Sequence, residues 1–136
     1  MFPITIPIKT ALTPGKGSLS FFEGGTDIPF DIKRIYYVYG VPKDSIRGSH
    51  AHKELNQILI CPYGSIKVLL DDGTEKNEVI LDDPSIGLFV GRSIWRDMVW
   101  MVDNSVLLVA ASDYYNEDDY IRNYDDFMRW IHERSF

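Results

Sequence analysis

His50 and His52 stand two residues apart in the segment Arg47-Gly48-Ser49-His50-Ala51-His52-Lys53. In an extended chain residues i and i+2 point to one face, about 7 Å apart along the strand, and Ala51 points to the other. Histidine has the ordinary pKa closest to neutrality, so a pair on one face suits either metal ligation or proton transfer. Arg47, three residues upstream, offers the charged fork that phosphate prefers. Four residues separate His52 from Gln57, and six more separate Gln57 from Gly64. A later strand-like run carries Gly91-Arg92-Ser93-Ile94-Trp95-Arg96.

The first of these patterns resembles the first cupin motif, in which His-x-His is followed at the same intervals by Glu and then Gly. The second cupin motif adds a histidine on a later strand, and Arg96 falls at its position. A metal-binding cupin holds its ion with three histidines and a carboxylate. Here a neutral amide, Gln57, replaces the carboxylate, and a permanent cation, Arg96, stands where a lone pair is needed. A guanidinium beside a divalent ion is unfavourable in a low-dielectric pocket. His132, the remaining histidine, belongs to the C-terminal stretch. The expectation is therefore a site without metal or other cofactor, with the paired histidines free for acid–base work.

Such residues need a rigid frame. Short strand-like runs recur at Ser18–Phe22, Ile32–Tyr39, Gln57–Cys61, Ser65–Asp71, Lys76–Leu81, Gly87–Val90, Ile94–Val102 and Val106–Ala111, punctuated by Gly, Pro and Asp. Ile66, Val68 and Leu70 alternate with Lys67 and Asp71, the period of a strand with two unlike faces, and Asp71-Asp72-Gly73-Thr74 reads as a hairpin turn. Many short strands at close spacing predict an all-β sandwich or barrel. Only the tail reads as helix. Tyr124, Phe127, Met128 and Ile131 recur at three- and four-residue spacing, Asn123 can cap the start, and Asp125, Asp126, His132 and Arg134 suit the helix dipole. A single domain over 1–136 is expected, with a barrel core at about 16–112 and a turn and helix at 113–136. Cys61 sits in the apolar run Ile58-Leu59-Ile60-Cys61 and reads as a buried structural thiol. Glu117-Asp118-Asp119 lacks the spacing of a calcium loop and reads as a solvated turn.

The net charge of −6 argues against a nucleic-acid partner. No apolar stretch is long enough to span a bilayer, and the start lacks a signal peptide's basic and apolar regions. One cysteine allows no internal disulfide and fits a reducing compartment, the cytoplasm.

Several ordered motifs resemble the dTDP-4-dehydro-6-deoxyglucose 3,4-ketoisomerases, the WxcM-like sugar isomerases. They are Gly17-Ser18-Leu19, Ile28 to Tyr37, Arg47 to Lys53, Leu70-Asp71-Asp72-Gly73, Ala111 to Tyr115 and Asp119 to Tyr124, together extending from about Lys16 to Phe127. The resemblance implies a double-stranded β-helix (cupin, jelly-roll) fold, a homodimer and a dTDP-linked 4-keto-6-deoxyhexose substrate. It implies an isomerase that moves the ketone from C4 to C3, on the way to a 3-amino-3,6-dideoxyhexose for surface polysaccharide. His50 is then the proton-transfer base, Tyr36 a donor or proton relay, and His52 a group that orients or shares the proton. Arg47 and Arg34 would take the diphosphate, with Lys53 and Arg122 as further cations. Tyr36 and Tyr37 alternate faces, so only one can point inward, and Arg34 shares the parity of Tyr36. Many relatives have Arg-Gly-Ser-Leu where this chain has Lys16-Gly17-Ser18-Leu19. Relatives also vary between His and Arg at Arg96. Both positions belong near the sugar, and Arg96 favours the gluco product. Two other readings stay open at this level: a nucleotide-sugar 3,5-epimerase on a similar barrel, and a cupin that binds the sugar nucleotide without turning it over.

Overall fold

The computed structural model describes residues 3–134. Its strands, in chain order, are β1 (Ile4–Pro7), β2 (Lys9–Thr13), β3 (Gly17–Phe21), β4 (Arg34–Val38), β5 (Ile46–His52), β6 (Gln57–Tyr63), β7 (Ile66–Asp71), β8 (Lys76–Leu81), β9 (Ile86–Val90), β10 (Trp95–Trp100), β11 (Val106–Ala111) and β12 (Tyr120–Ile121). One α-helix, α1 (Tyr124–Arg134), follows. Two five-stranded antiparallel sheets, in the orders β1-β9-β6-β11-β4 and β12-β5-β10-β7-β8, face each other. From β4 to β12 the chain passes repeatedly from one sheet to the other, which is the jelly-roll form of a cupin barrel. β2 and β3 pair only with each other.

Burial explains the patterns. Between the sheets, Leu59, Leu88 and Val109 of one meet Val68, Leu70, Met98 and Trp100 of the other. β6 is buried on both faces: Leu59 and Cys61 point inward, while Ile58 and Ile60 pack outward with Ile8 and Ile28. A strand covered on both sides reads as a continuous apolar run, and this one does. Cys61 is 1% exposed and its thiol donates to the Tyr63 carbonyl at 3.2 Å. Burial raises its pKa to about 11, which keeps it an inert thiol.

The outer face of the second sheet is closed by α1. Asn123 Oδ1 accepts the Asp126 N–H at 3.0 Å, the expected cap. Phe127 is fully buried against Ala51, Trp95 and Ile121. The β7–β8 turn passes directly beneath the helix. Gly73 has φ +95°, and a Cβ there would come within 2.7 Å of Ile131 Cγ2, so glycine suits both the turn and the close approach.

The sheets extend beyond the expected core of 16–112. β1 pairs with β9, and β12 pairs with the end of β5. β2 carries no burial signal because all five of its residues are exposed, and β12 is only two residues long. Phe127→Ala should cost about 3–5 kcal/mol, the usual range for an aromatic truncated in a core. Urea denaturation followed through tryptophan fluorescence checks this, with α1 expected to undock first.

Candidate active site

One end of the barrel interior is apolar and the other is not. Along β4, Arg34, Tyr36 and Val38 turn inward and alternate with Ile35, Tyr37 and Tyr39, which are exposed. Tyr36 is thus the inward tyrosine of its pair. The register sets Arg34 beside Ala111 and Ala111 beside Gln57, placing three strand ends in one polar layer. Across the barrel, His50 of β5 pairs with Arg96 of β10.

β5 contains a bulge. Arg96 pairs with His50, but the next residue, Asp97, pairs with Gly48, so Ser49 is one residue too many. Gly48 and Ser49 have φ of +91° and +56°. In an unbroken strand Arg47 and His50 would face opposite ways. The extra residue restores them to one face, and both line the same cavity. Glycine is needed at 48, because a Cβ would lie 2.9 Å from Met98 Cε and 3.1 Å from the Arg96 carbonyl oxygen. Ser49 Oγ turns aside to donate to Asp97 Oδ1 at 2.5 Å.

This cavity, about 320 Å³, is lined by Arg34, Tyr36, Arg47, His50, Tyr120 and Arg122, with Met98 and Trp100 among its apolar residues. A larger cavity of about 400 Å³ lies outside the barrel around Trp95 and Tyr124 and is lined by no histidine.

Arg96 is the buried charge of the site, only 1% exposed. Its Nη1 donates to Gln57 Oε1 at 2.5 Å, and Nη2 and Nε donate to the Ile94 carbonyl at 2.9 and 3.2 Å. It makes no ion pair among the described residues. Burial lowers its pKa to about 10, so it stays charged at neutral pH. Gln57 Nε2 donates onward to the Tyr36 hydroxyl oxygen at 3.2 Å. Burial, the largest influence, raises the Tyr36 pKa and keeps its proton in place.

The histidines respond to the same surroundings. Burial first, and the Arg96 charge second, lower the His50 pKa to about 4, against the opposing pull of a Gly48 backbone hydrogen bond and Asp97. Burial and Arg96 likewise push His52 far below the ordinary imidazole range. Both rings are therefore neutral at pH 7. They meet edge to face with centroids 4.9 Å apart, and Tyr120 packs against His50 at 5.1 Å and His52 at 4.4 Å. His52 Nδ1 lies 3.0 Å from Asp119 Oδ2, while its buried Nε2 has no partner.

The other candidates divide. Arg47 stands exposed at the rim and makes no ion pair among the described residues. Arg122 lies over Tyr120 at 4.1 Å but is already held by both carboxylate oxygens of Glu117, at 2.8 and 2.9 Å. Arg34 lies over the Tyr36 ring and keeps a buried Nε without a partner. Lys53 stacks on Trp130, on the helix side of the sheet. Lys16 sits exposed in the turn between β2 and β3, outside the cavity lining. Nothing in the composition marks Asp119 or Tyr120. Asp119 is no free solvated turn, for its carboxylate also accepts the Glu54 N–H at 2.8 Å. The faint signal is its place in the run that continues through Tyr120 to Tyr124.

A jelly-roll barrel with neutral paired imidazoles and a buried guanidinium at one end of its interior has the cupin fold. The chain belongs to the family described as WxcM-like, C-terminal (FdtA), which matches residues 5–132. It is 47% identical over 116 residues to the TDP-4-oxo-6-deoxy-alpha-D-glucose-3,4-oxoisomerase of Aneurinibacillus thermoaerophilus, covering 85% of this chain and 84% of that one. The solved structure of QdtA, a sugar 3,4-ketoisomerase from Thermoanaerobacterium thermosaccharolyticum in complex with TDP, is 46% identical with a TM-score of 0.93, covering 98% of this chain and 97% of that one. A QdtA mutant in complex with TDP-4-keto-6-deoxyglucose gives 45% and 0.92, covering 97% and 95%. The Mycobacterium tuberculosis rmlC epimerase shares the fold at 17% identity and a TM-score of 0.71, covering 85% of this chain and 66% of that one.

An NMR titration of the imidazole resonances should place the His50 pKa near 4 rather than 6.5. Arg96→Gln should raise it, because a cation that opposes protonation is gone. It should not reach 6.5, since burial, the larger cause, remains.

Proposed function

We propose that this chain is a TDP-sugar 3,4-ketoisomerase that converts TDP-4-keto-6-deoxyglucose to its 3-keto isomer. The observation that carries the reading is a neutral imidazole, His50, facing the same cavity as a protonated tyrosine and a ring of arginines. Its family membership and the activities named for its relatives point the same way.

The reaction is a tautomerisation. His50 removes the proton on C3, and the electron pair of that bond forms the C3–C4 double bond while the C4 carbonyl oxygen gains charge. Tyr36 donates to that oxygen, and the fixed Arg96 charge favours the enediolate. Collapse in the other sense passes the C3 hydroxyl proton through the polar groups of the site to the C4 oxygen, returns the proton held by His50 to C4 and leaves a ketone at C3 and a hydroxyl at C4. No redox partner is required. His52, edge to face with His50, orients or shares the transferred proton. Arg47, exposed at the rim, and Arg34 hold the diphosphate, with Arg122 as an outer cation; Lys53, stacked on Trp130, stands away from them. Arg96 on the sugar side supports the gluco configuration at C4.

The protein acts as a homodimer. The β2–β3 hairpin leaves Leu12, Leu19 and Phe21 exposed at 72, 62 and 43%, a surface that a second copy would cover. Lys16, at the tip of that hairpin, reaches a sugar only across such an interface. The product feeds synthesis of an amino-deoxysugar for surface polysaccharide in the cytoplasm. No helix among the described residues is long and apolar enough to cross a membrane.

Incubation with TDP-4-keto-6-deoxyglucose in D2O, followed by proton NMR, should show the 3-keto product with C5 unlabelled. Exchange at C5 with the ketone still at C4 would mean an epimerase, and no change would mean a binding protein. His50→Asn should lower kcat by roughly 10²-fold or more with TDP affinity retained. Arg47→Ala should instead weaken TDP binding by about 1.5–3 kcal/mol, read by calorimetry. Activity should survive a chelator, because Gln57 and Arg96 occupy two of the four positions from which a cupin metal is held.

A further inference from the structure

We propose that Asp119 is a positioning residue that fixes the tautomer of His52, placing its proton on Nδ1 and presenting Nε2 as a bare acceptor inside the barrel. Asp119 ends a single turn of 3-10 helix, Glu117–Asp119, that precedes β12. Asn116 holds this turn. Its side chain accepts the Asp118 N–H at 3.1 Å, and its carbonyl accepts the Asp119 N–H at 3.1 Å. Asp119 is then fastened to the strand end it serves. Its carbonyl accepts the Lys53 N–H at 2.9 Å, Oδ1 accepts the Glu54 N–H at 2.8 Å, and Oδ2 lies 3.0 Å from His52 Nδ1. The next residue, Tyr120, pairs with His52 in the sheet. The carboxylate is 15% exposed and the imidazole is fully buried, so water does not compete freely for this contact.

An ionised carboxylate can only accept, so His52 Nδ1 must carry hydrogen. A neutral imidazole has one such hydrogen, and Nε2 is left as a lone pair. That atom is buried and has no partner among the described residues. Leaving a buried acceptor unmet is costly, and such a group is found where it has work to do. Burial and Arg96 keep the ring from taking a second proton before substrate arrives. Resting on the ketoisomerase reading, the work assigned to Nε2 is to receive a hydroxyl proton of the sugar as the enediolate forms or collapses. The tautomer assignment itself does not depend on that reading.

The test uses the full-length protein labelled with 15N and compares Asp119→Asn with Asp119→Ala. Asparagine keeps the size and can keep an acceptor for the Glu54 N–H, but its amide N–H would face Nδ1 and drive the His52 proton to Nε2. Alanine removes control without imposing the wrong form. Long-range proton–nitrogen spectra of ligand-free wild type should show His52 protonated at Nδ1, and Asp119→Asn should show the reverse. Turnover should fall by roughly 10²- to 10⁴-fold in Asp119→Asn, the scale seen when a carboxylate that orients a catalytic histidine becomes an amide, with TDP affinity unchanged. Asp119→Ala should keep more activity than Asp119→Asn. A merely structural residue gives the opposite order, since asparagine is the milder change. Wild-type protonation at Nε2, or a fully active Asp119→Asn, overturns the proposal, even if Asp119→Ala does not fold. Failure of wild type to isomerise the keto-sugar would instead sink the functional reading while leaving the nitrogen spectra to decide the tautomer.

Discussion

A guanidinium that makes no ion pair among the described residues, closed inside a barrel, is the interaction on which the rest of the site depends. Burying a charge is costly unless hydrogen bonds replace the lost water. Arg96 meets that demand with neutral acceptors, the Ile94 carbonyl and the Gln57 amide oxygen. A glutamate at 57 would satisfy the fork better. It would also cancel the charge, and with it the field that adds to burial in depressing both imidazoles. The pairing of amide with arginine therefore keeps a positive potential alive at the place where the cupin plan would hold an ion.

The field reaches the substrate because the barrel sorts its interior by layers. Each strand that ends in Arg34, Gln57 or Arg96 continues inward with Val38, Cys61 or Trp100, so the polar layer rests on a packed apolar floor. Rigid packing fixes the rotamers above it. The bulge at Gly48 and Ser49 then adds Arg47 to the side occupied by His50. With Arg34 and Arg122, these residues gather cations around one opening of a chain whose net charge is −6. Low-dielectric walls focus such a cluster, and an anionic sugar nucleotide is drawn to it despite the overall charge.

Much of this was legible in the sequence because it follows from parity and spacing. The inward set Arg34 and Tyr36, the facing of His50 and His52 and the helix at Asn123 rest on local periodicity, while the significance of Gln57 and Arg96 comes from the resemblance to the cupin motifs. Other features depend on contacts that spacing does not encode. Arg47 and His50 are three residues apart, and only a bulge with a non-glycine residue at positive φ puts them on one face. Asp119 meets His52 from 67 residues away through a two-residue strand, and an acidic turn carries no mark of such a contact. Lys53 belongs to the histidine segment in sequence, yet lies beyond the end of β5 and stacks on the helix.

Two chains of hydrogen-bond polarity end in the polar layer of the barrel, one at the tyrosine that lines the cavity and one at the buried imidazole that meets His50 edge to face, and they run in opposite senses. Arg96 can only donate, so it fixes the Gln57 oxygen as acceptor and turns the amide nitrogen toward Tyr36. The tyrosine oxygen accepts that hydrogen bond, which leaves its own O–H free to donate into the cavity. From the other side Asp119 can only accept, so it draws the His52 proton to Nδ1 and leaves Nε2 without one. One chain begins with a permanent cation and ends in a donor; the other begins with a carboxylate and ends in an acceptor. Moving a ketone along a sugar needs one group to give a proton to an oxygen and another to take one away. A barrel that anchors each at its far end by charge can hold both ready in the same neutral state.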